Sequence, residues 1–207
     1  MKRIFFLWIA VCAMAYTVRA QNQTNAPLHD KAFLLNYYQQ TLDGLQKSVA
    51  GLSEAQLKFQ PAPDRWSISQ CLEHIILTEK ALLGHAQQMM SQKPNPERRS
   101  EVKLTDEDII KGITDRSFKA KASAELMAKE TGKYKDAGQA IADLRQQRKE
   151  IIAYINGLSL DDMRSRIADS PFGLVDGYHS LLYIPGHTAR HTLQIEEVKA
   201  DPNFPAK

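Results

Sequence analysis

Apolar residues recur along this chain with the period of a helix. Leu35, Tyr38, Leu42, Leu45, Val49 and Leu52 step by 3, 4, 3, 4 and 3, which lays one stripe along a single face. The spacing predicts a first helix ended by Gly51, then a short turn opened by Ser53 with Glu54 behind it. Pro61 and Pro63 mark a loop. A second helix is predicted from Ser67 or Ser69 to Met90, with Ile68, Cys71, Leu72, Ile75, Leu82, Leu83, Ala86 and Met89 on one broad face. Residues 91–104 hold Pro94 and Pro96, many charges and few apolar side chains, and read as a long, exposed, mobile connection. Thr105 and Asp108 resemble a capping box for a short helix to about Thr114. Residues 116–136 are rich in Lys and Ala with weak periodicity and read as mixed helix and loop.

The third main helix repeats the pattern of the first. Ile141, Leu144, Arg148, Ile151, Ile155 and Leu158 again step by 3, 4, 3, 4 and 3, Gly157 closes the run and Ser159 opens a turn. The strings at 51–57 (GLSEAQL) and 157–163 (GLSLDDM) are alike in sequence and in place, which hints at two related helical hairpins. Residues 165–178, with Pro171, Gly173 and Gly177, read as a loop before a last helix from about Ser180 to Lys199, whose first turn would accommodate Pro185. No alternating strand of useful length is visible. The expected fold class is all-α: a four-helix bundle with a long crossover connection between the second and third main helices.

Composition supports a globular chain, at 43% hydrophobic and 25% charged over 207 residues, which suits one domain. Charge placement changes the picture. Three of the 27 bases, Lys2, Arg3 and Arg19, lie in the first 20 residues without an acid, and the rest is neutral against 24 acids. A neutral body lacks the basic excess that grips phosphate backbones, so nucleic acid is not an expected partner. The same 20 residues have the layout of a secretory signal peptide: a basic start, an uncharged run from Ile4 to Tyr16, and small residues Val18 and Ala20 at a cleavage site. That run is too short to span about 30 Å of hydrocarbon, so stable membrane insertion is not expected. The expected order is a leader at 1–20, a disordered lead at 21–28, the bundle at 29–200 and a tail at 201–207, with the mature protein exported to the periplasm or the extracellular space after cleavage near Ala20. Cleavage removes Cys12 and leaves Cys71, so no internal disulfide can form. Cys71, among Ile68, Leu72 and Ile75, reads as a small core residue.

Histidines carry the candidate chemistry. His187 and His191, four apart, place two imidazoles on one helix face about 6 Å apart at Cβ. They fall inside the apolar stripe of Ile184, Ile195 and Val198 and so point into the bundle. Buried imidazoles need partners, and either a shared metal or core hydrogen bonds would serve. His74, at the edge of the second helix's stripe, is the best third ligand. His85 shares its angle but lies about 16 Å further along the axis and reads as a surface or second-layer residue. His179 could cap the last helix or line a pocket, and His29 reads as solvated.

These residues bring a family resemblance. The chain resembles the DinB-like superfamily, and most of all its DinB_2-type members, through Trp66, Ser67, Ile68, Gln70 and His74, and through Tyr183, Ile184, His187, Arg190, His191, Gln194 and Ile195. The resemblance covers about residues 30–199. It implies a four-helix bundle with a long crossover and a divalent metal held by His74, His187 and His191. The export signal departs from the better-known cytoplasmic members, and so their thiol-cofactor chemistry does not carry over directly.

Three nitrogen ligands leave a tetrahedral ion one position for water or substrate, which is the arrangement of a catalytic centre. Zinc is the first expectation; nickel, iron or manganese suit the same ligands. The reading is a metal-dependent hydrolase or thiol transferase with a small-molecule substrate, or else a non-catalytic metal or ligand-binding bundle. A homodimer is compatible with either. Glu73 and Gln194 are candidates to orient the imidazoles, and Glu79 and Tyr183 are candidate proton-transfer groups.

Overall fold

The computed structural model describes residues 28–117, 131–170 and 173–206. The expected leader, all of the lead except Leu28, and most of 116–136 lie outside the described residues.

Each main helix starts where a side chain satisfies its free N–H groups. Helix α1 (Lys31–Val49) is capped by Asp30, which accepts from the Phe33 N–H. Its buried row is Leu34, Tyr38, Leu42, Leu45 and Val49, so the stripe begins at Leu34 and leaves Leu35 half-buried. Gly51, at φ +68°, turns the chain in the left-handed region that glycine adopts without strain. The two GLS strings have the same local role. Ser53 and Gln56 box the start of α2 (Glu54–Lys58), as Ser159 and Asp162 box the start of α6 (Leu160–Arg164). Capping boxes of Ser67 with Gln70 and Thr105 with Asp108 open α3 (Ile68–Met90) and α4 (Asp106–Thr114). Asp136 caps α5 (Ala137–Asn156), and Asp176 caps α7 (Gly177–Lys199) by accepting from the His179 N–H.

Among the described residues the bundle is all-α apart from one small hairpin. Helix α7 packs against α1, α3 and α4, while α5 packs against α1 and α3. Helix α4 belongs to the crossover, and it approaches α7 at Gly186, where a Cβ would stand 2.7 Å from Ile113 Cγ2. Two apolar clusters fill the bundle. One includes Leu45, Leu57, Ile68, Leu72, Leu144 and Ile195; the other includes Leu34, Ile151, Met163, Leu181 and Ile184. A polar waist lies between them. Arg148, the odd member of the third stripe, is buried and clasps buried Glu79 through Nη2–Oε1 at 2.6 Å and Nε to both oxygens at 3.2 Å. Thr188 donates to Glu79 Oε1 at 2.6 Å, and Arg148 Nη1 donates to Thr41 Oγ1 and to the Tyr38 carbonyl. One ion pair thereby ties α1, α3, α5 and α7 together.

The structure corrects four expectations. Residues 165–178 contain an antiparallel hairpin, β1 (Ile167–Ser170) with β2 (Gly173–Asp176), in the register Ile167 with Asp176 and Ser170 with Gly173. Strands of four residues are too short to show an alternating pattern. Second, 91–104 is anchored. Asn95 exchanges side-chain bonds with the Ile167 backbone at 2.8 and 2.9 Å, donates its N–H to the Ser165 carbonyl, and is followed by a 3-10 turn, Pro96–Glu101. Third, α7 begins at Gly177, so Pro185 lies in its third turn rather than its first. Fourth, His29 is half-buried rather than free in solvent: its ring stacks on Phe33 at 3.5 Å and meets Glu107 at 2.8 Å. Phe204, beyond α7, packs edge-on against Phe59 at 5.6 Å.

Candidate metal centre

Helix starts set the heights of the ligands. The Ser67–Gln70 box fixes the first turn of α3, and His74 follows in its second turn. On α7, Asp176 fixes the start, and His187 and His191 lie one turn apart on the inward face. All three histidines are buried. His187 Nε2 lies 3.2 Å from His74 Nε2 and 3.1 Å from His191 Nε2. The three ligating atoms stand within 4.8 Å of one another. Two nitrogens bound tetrahedrally at about 2.0–2.1 Å to one zinc ion stand about 3.3 Å apart, which is close to both separations from His187, so the cluster could hold a single ion.

The outer nitrogens of His191 and His74 agree with that fit. His191 Nδ1 meets Gln194 Oε1 at 2.9 Å, and His74 Nδ1 meets Thr78 Oγ1 at 3.4 Å. An amide oxygen only accepts, so His191 carries its proton on Nδ1 and turns a lone pair inward from Nε2. His187 Nδ1 is buried without a hydrogen-bond partner. One Nε2 proton on His187 could bridge to just one of its two neighbours. A cation is the single group that satisfies three inward nitrogen lone pairs together. Burial, with His74 and Arg190 nearby, pushes the His187 pKa down to about 3, and burial, with His187 and His74 nearby, holds His191 well below the ordinary value. Both rings are therefore neutral, the state that ligates a metal.

Trp66, just before the Ser67 cap, walls one side of the centre. Its ring centroid is 4.6 Å from that of His74 and 6.0 Å from that of His191, at 22° to the latter. The Arg116 guanidinium reaches in from the far end of α4 and donates to Gln194 Oε1 at 3.3 Å.

The family model for the DinB superfamily matches residues 37–195. The chain belongs to that superfamily. YuaE, an uncharacterized protein of Bacillus subtilis (strain 168), is 25% identical over 151 residues, which is 73% of this chain and 88% of YuaE. Among solved structures the fold is similar to that of YfiT from Bacillus subtilis, at a TM-score of 0.59 and 12% identity over 84% of this chain and 89% of that one. YfiT is described as a probable metal-dependent hydrolase with an unusual four-helix bundle topology. In this DinB chain, then, a four-helix bundle carries three buried histidines that could bind a metal.

The other expected site residues divide. Gln194 stands against His191. Glu73 faces the end of the crossover, accepting from the Gly132 N–H at 2.8 Å and the Lys133 N–H at 3.4 Å. Glu79 is the acid of the polar waist, its oxygens taken by Arg148 and Thr188. Tyr183 is half-buried, one turn before His187, with its hydroxyl pKa raised by burial. His85 is exposed. His179 is buried beside Asp106, its Nε2 at 3.0 Å from Oδ1. There Arg164 pairs with Asp106 and Asp176 at 2.7 and 3.0 Å and lies over the Tyr178 ring at 3.6 Å, joining α4, α6 and α7. Sequence reasoning missed Thr78 and Arg116. Thr78 follows His74 by four, the spacing that singled out His187 and His191; Arg116 left no local signal.

Proposed function

We propose that this protein is an exported metal-dependent enzyme, a hydrolase or group transferase, that acts on a small molecule at the ion held by His74, His187 and His191. The convergence of three buried imidazoles carries the reading: His187 Nε2 stands 3.2 Å from His74 Nε2 and 3.1 Å from His191 Nε2, and all three ligand atoms lie within 4.8 Å of one another. Zinc is the ion proposed first, since it favours nitrogen ligands in a tetrahedral set. When bound, the ion supplies a Lewis acid with a position left for water or a substrate group. The chain's own residues do the rest. Gln194 orients His191, Thr78 stands beside the outer nitrogen of His74, and Trp66 excludes water from one flank and offers an apolar wall to a substrate.

Export is part of the proposal and rests on Lys2 and Arg3, the uncharged run Ile4 to Tyr16, and Val18 and Ala20. Mass spectrometry of the protein from its native cells should find Gln21 at the N-terminus; an intact Met1 in the cytosolic fraction would sink export. For the enzyme reading, the mature chain should be screened against chromogenic esters, amides and thiol-transfer acceptors. Turnover should vanish on chelation and return with added zinc, nickel or manganese. Stoichiometric metal without any turnover would leave a binding protein instead.

A further inference from the structure

One guanidinium outside the ligand set stands against the amide that meets a candidate ligand. Arg116 lies just past the C-cap Asp115 of α4. Its Nε and Nη2 form a two-pronged pair with Glu197 at 3.0 and 2.7 Å, and its Nη1 reaches Gln194 Oε1 at 3.3 Å. Glu197 also stands 3.8 Å from Arg65, the residue before Trp66. Gln194 and Glu197 are three apart on α7, so one guanidinium spans both. The pairing with Glu197 fixes the fork, and the third donor then points at the carboxamide.

Arginine has donors and no acceptor, so the carboxamide atom facing it must be the oxygen. That same oxygen faces His191 Nδ1 at 2.9 Å, which must then be an N–H. The proton on Nδ1 leaves Nε2 with its lone pair aimed at the ligand cluster. Without Arg116 the carboxamide is free to flip and present its NH2 to Nδ1. The flipped amide favours the opposite tautomer, with the proton on Nε2, where it blocks a metal. We propose that Arg116 is a positioning residue that locks the Gln194 amide and, through it, holds His191 in the metal-binding tautomer. The crossover thereby reaches the centre through the Arg116 side chain. The consequence for affinity rests on the metal-centre reading; the tautomer itself does not.

The test uses metal-free, 15N-histidine-labelled full-length mature protein at pH 8. Two-bond 15N–1H spectra, with the His191 signals identified by their loss in His191→Gln, read which nitrogen carries the proton. The wild type should show Nδ1–H. Arg116→Ala should populate Nε2–H at His191 and weaken zinc, measured by competition with a chelating dye, by about 10–100-fold. Gln194→Glu supplies a group that only accepts, so Arg116→Ala with Gln194→Glu should restore Nδ1–H and bring the affinity back to within a few-fold of wild type. Loss of the anchor to Glu197 alone predicts no such rescue. An unchanged His191 tautomer in Arg116→Ala, or a double variant no better than Arg116→Ala, overturns the proposal. If the wild type takes up no zinc while the tautomer depends on Arg116 and Gln194 as stated, the metal reading fails and the amide lock stands.

Discussion

The Tyr38 hydroxyl donates to the Leu181 carbonyl at 2.9 Å, and that carbonyl is the one Pro185 leaves without its helical N–H partner. Proline in the third turn of a helix removes the bond to the carbonyl four residues earlier. Here a tyrosine from α1 supplies the missing donor, so α7 runs on from Gly177 to Lys199 and brings His187 and His191 inward on one face. The apolar stripe of α1 is thus also a polar contact with the helix that carries two of the three candidate ligands.

Tyr38→Phe should cost about 1–3 kcal/mol, the penalty of leaving a buried acceptor unsatisfied. In urea unfolding of the metal-free protein, that cost should shrink when Pro185→Ala is introduced, because alanine restores the N–H to Leu181. An undiminished cost in the Pro185→Ala background would mean that the hydroxyl matters for another reason.

Glu79 was readable as a proton-transfer group, and its position instead argues for stability. Its carboxylate is fully buried against Arg148, and removing one partner of such a pair commonly costs about 3–5 kcal/mol. Glu79→Gln should lower the urea midpoint strongly, and Arg148→Met should lower it by a comparable amount. In a double-mutant cycle the two losses should not add. A Glu79→Gln variant of normal stability but no turnover would return Glu79 to the chemistry.

Acid should destabilise the metal-free protein in two overlapping windows. His187 is pushed down to about 3 in the fold, while an unfolded imidazole titrates near 6.5. The unfolded chain therefore takes up a proton that the fold refuses, so this stability is fully present above about 6.5 and is lost as pH falls toward about 3. Burial alone would raise Asp106, but hydrogen bonds from His179, Arg164 and the His29 N–H outweigh it and hold this carboxyl well below its ordinary range. Its contribution is present above about pH 4 and is lost below that. Urea midpoints measured from pH 8 to pH 3 should fall through both windows. His187→Ala should make the upper one shallower, with buried His191 keeping the remainder, and leave the lower one in place. An equally steep fall in His187→Ala would locate the titration elsewhere.

The four main helices were legible because each carries a 3.6-residue apolar period; their starts were less so, since the cap Asp176 sets the last one at Gly177 rather than Ser180. The histidine pair was legible for the same reason, since spacing fixes a face. What escaped has no local period. The strands of the hairpin are four residues long, and Asn95 meets Ile167 across 72 positions. Pro185 was misplaced because the partner that lets a helix tolerate it, Tyr38, lies in another helix. Arg116 reaches Gln194 across 78 positions, and no pattern near either residue announces the contact.

The most direct measurement is metal content, by mass spectrometric elemental analysis of the protein purified without a histidine tag. One divalent ion per chain is expected in the wild type. Each of His74→Ala, His187→Ala and His191→Ala should lower that occupancy severely, with circular dichroism confirming that the bundle remains helical, while His85→Ala and His29→Ala should leave it unchanged. A folded wild type that takes up no divalent ion, or a metal that survives loss of His74 and departs with His85, would contradict the account.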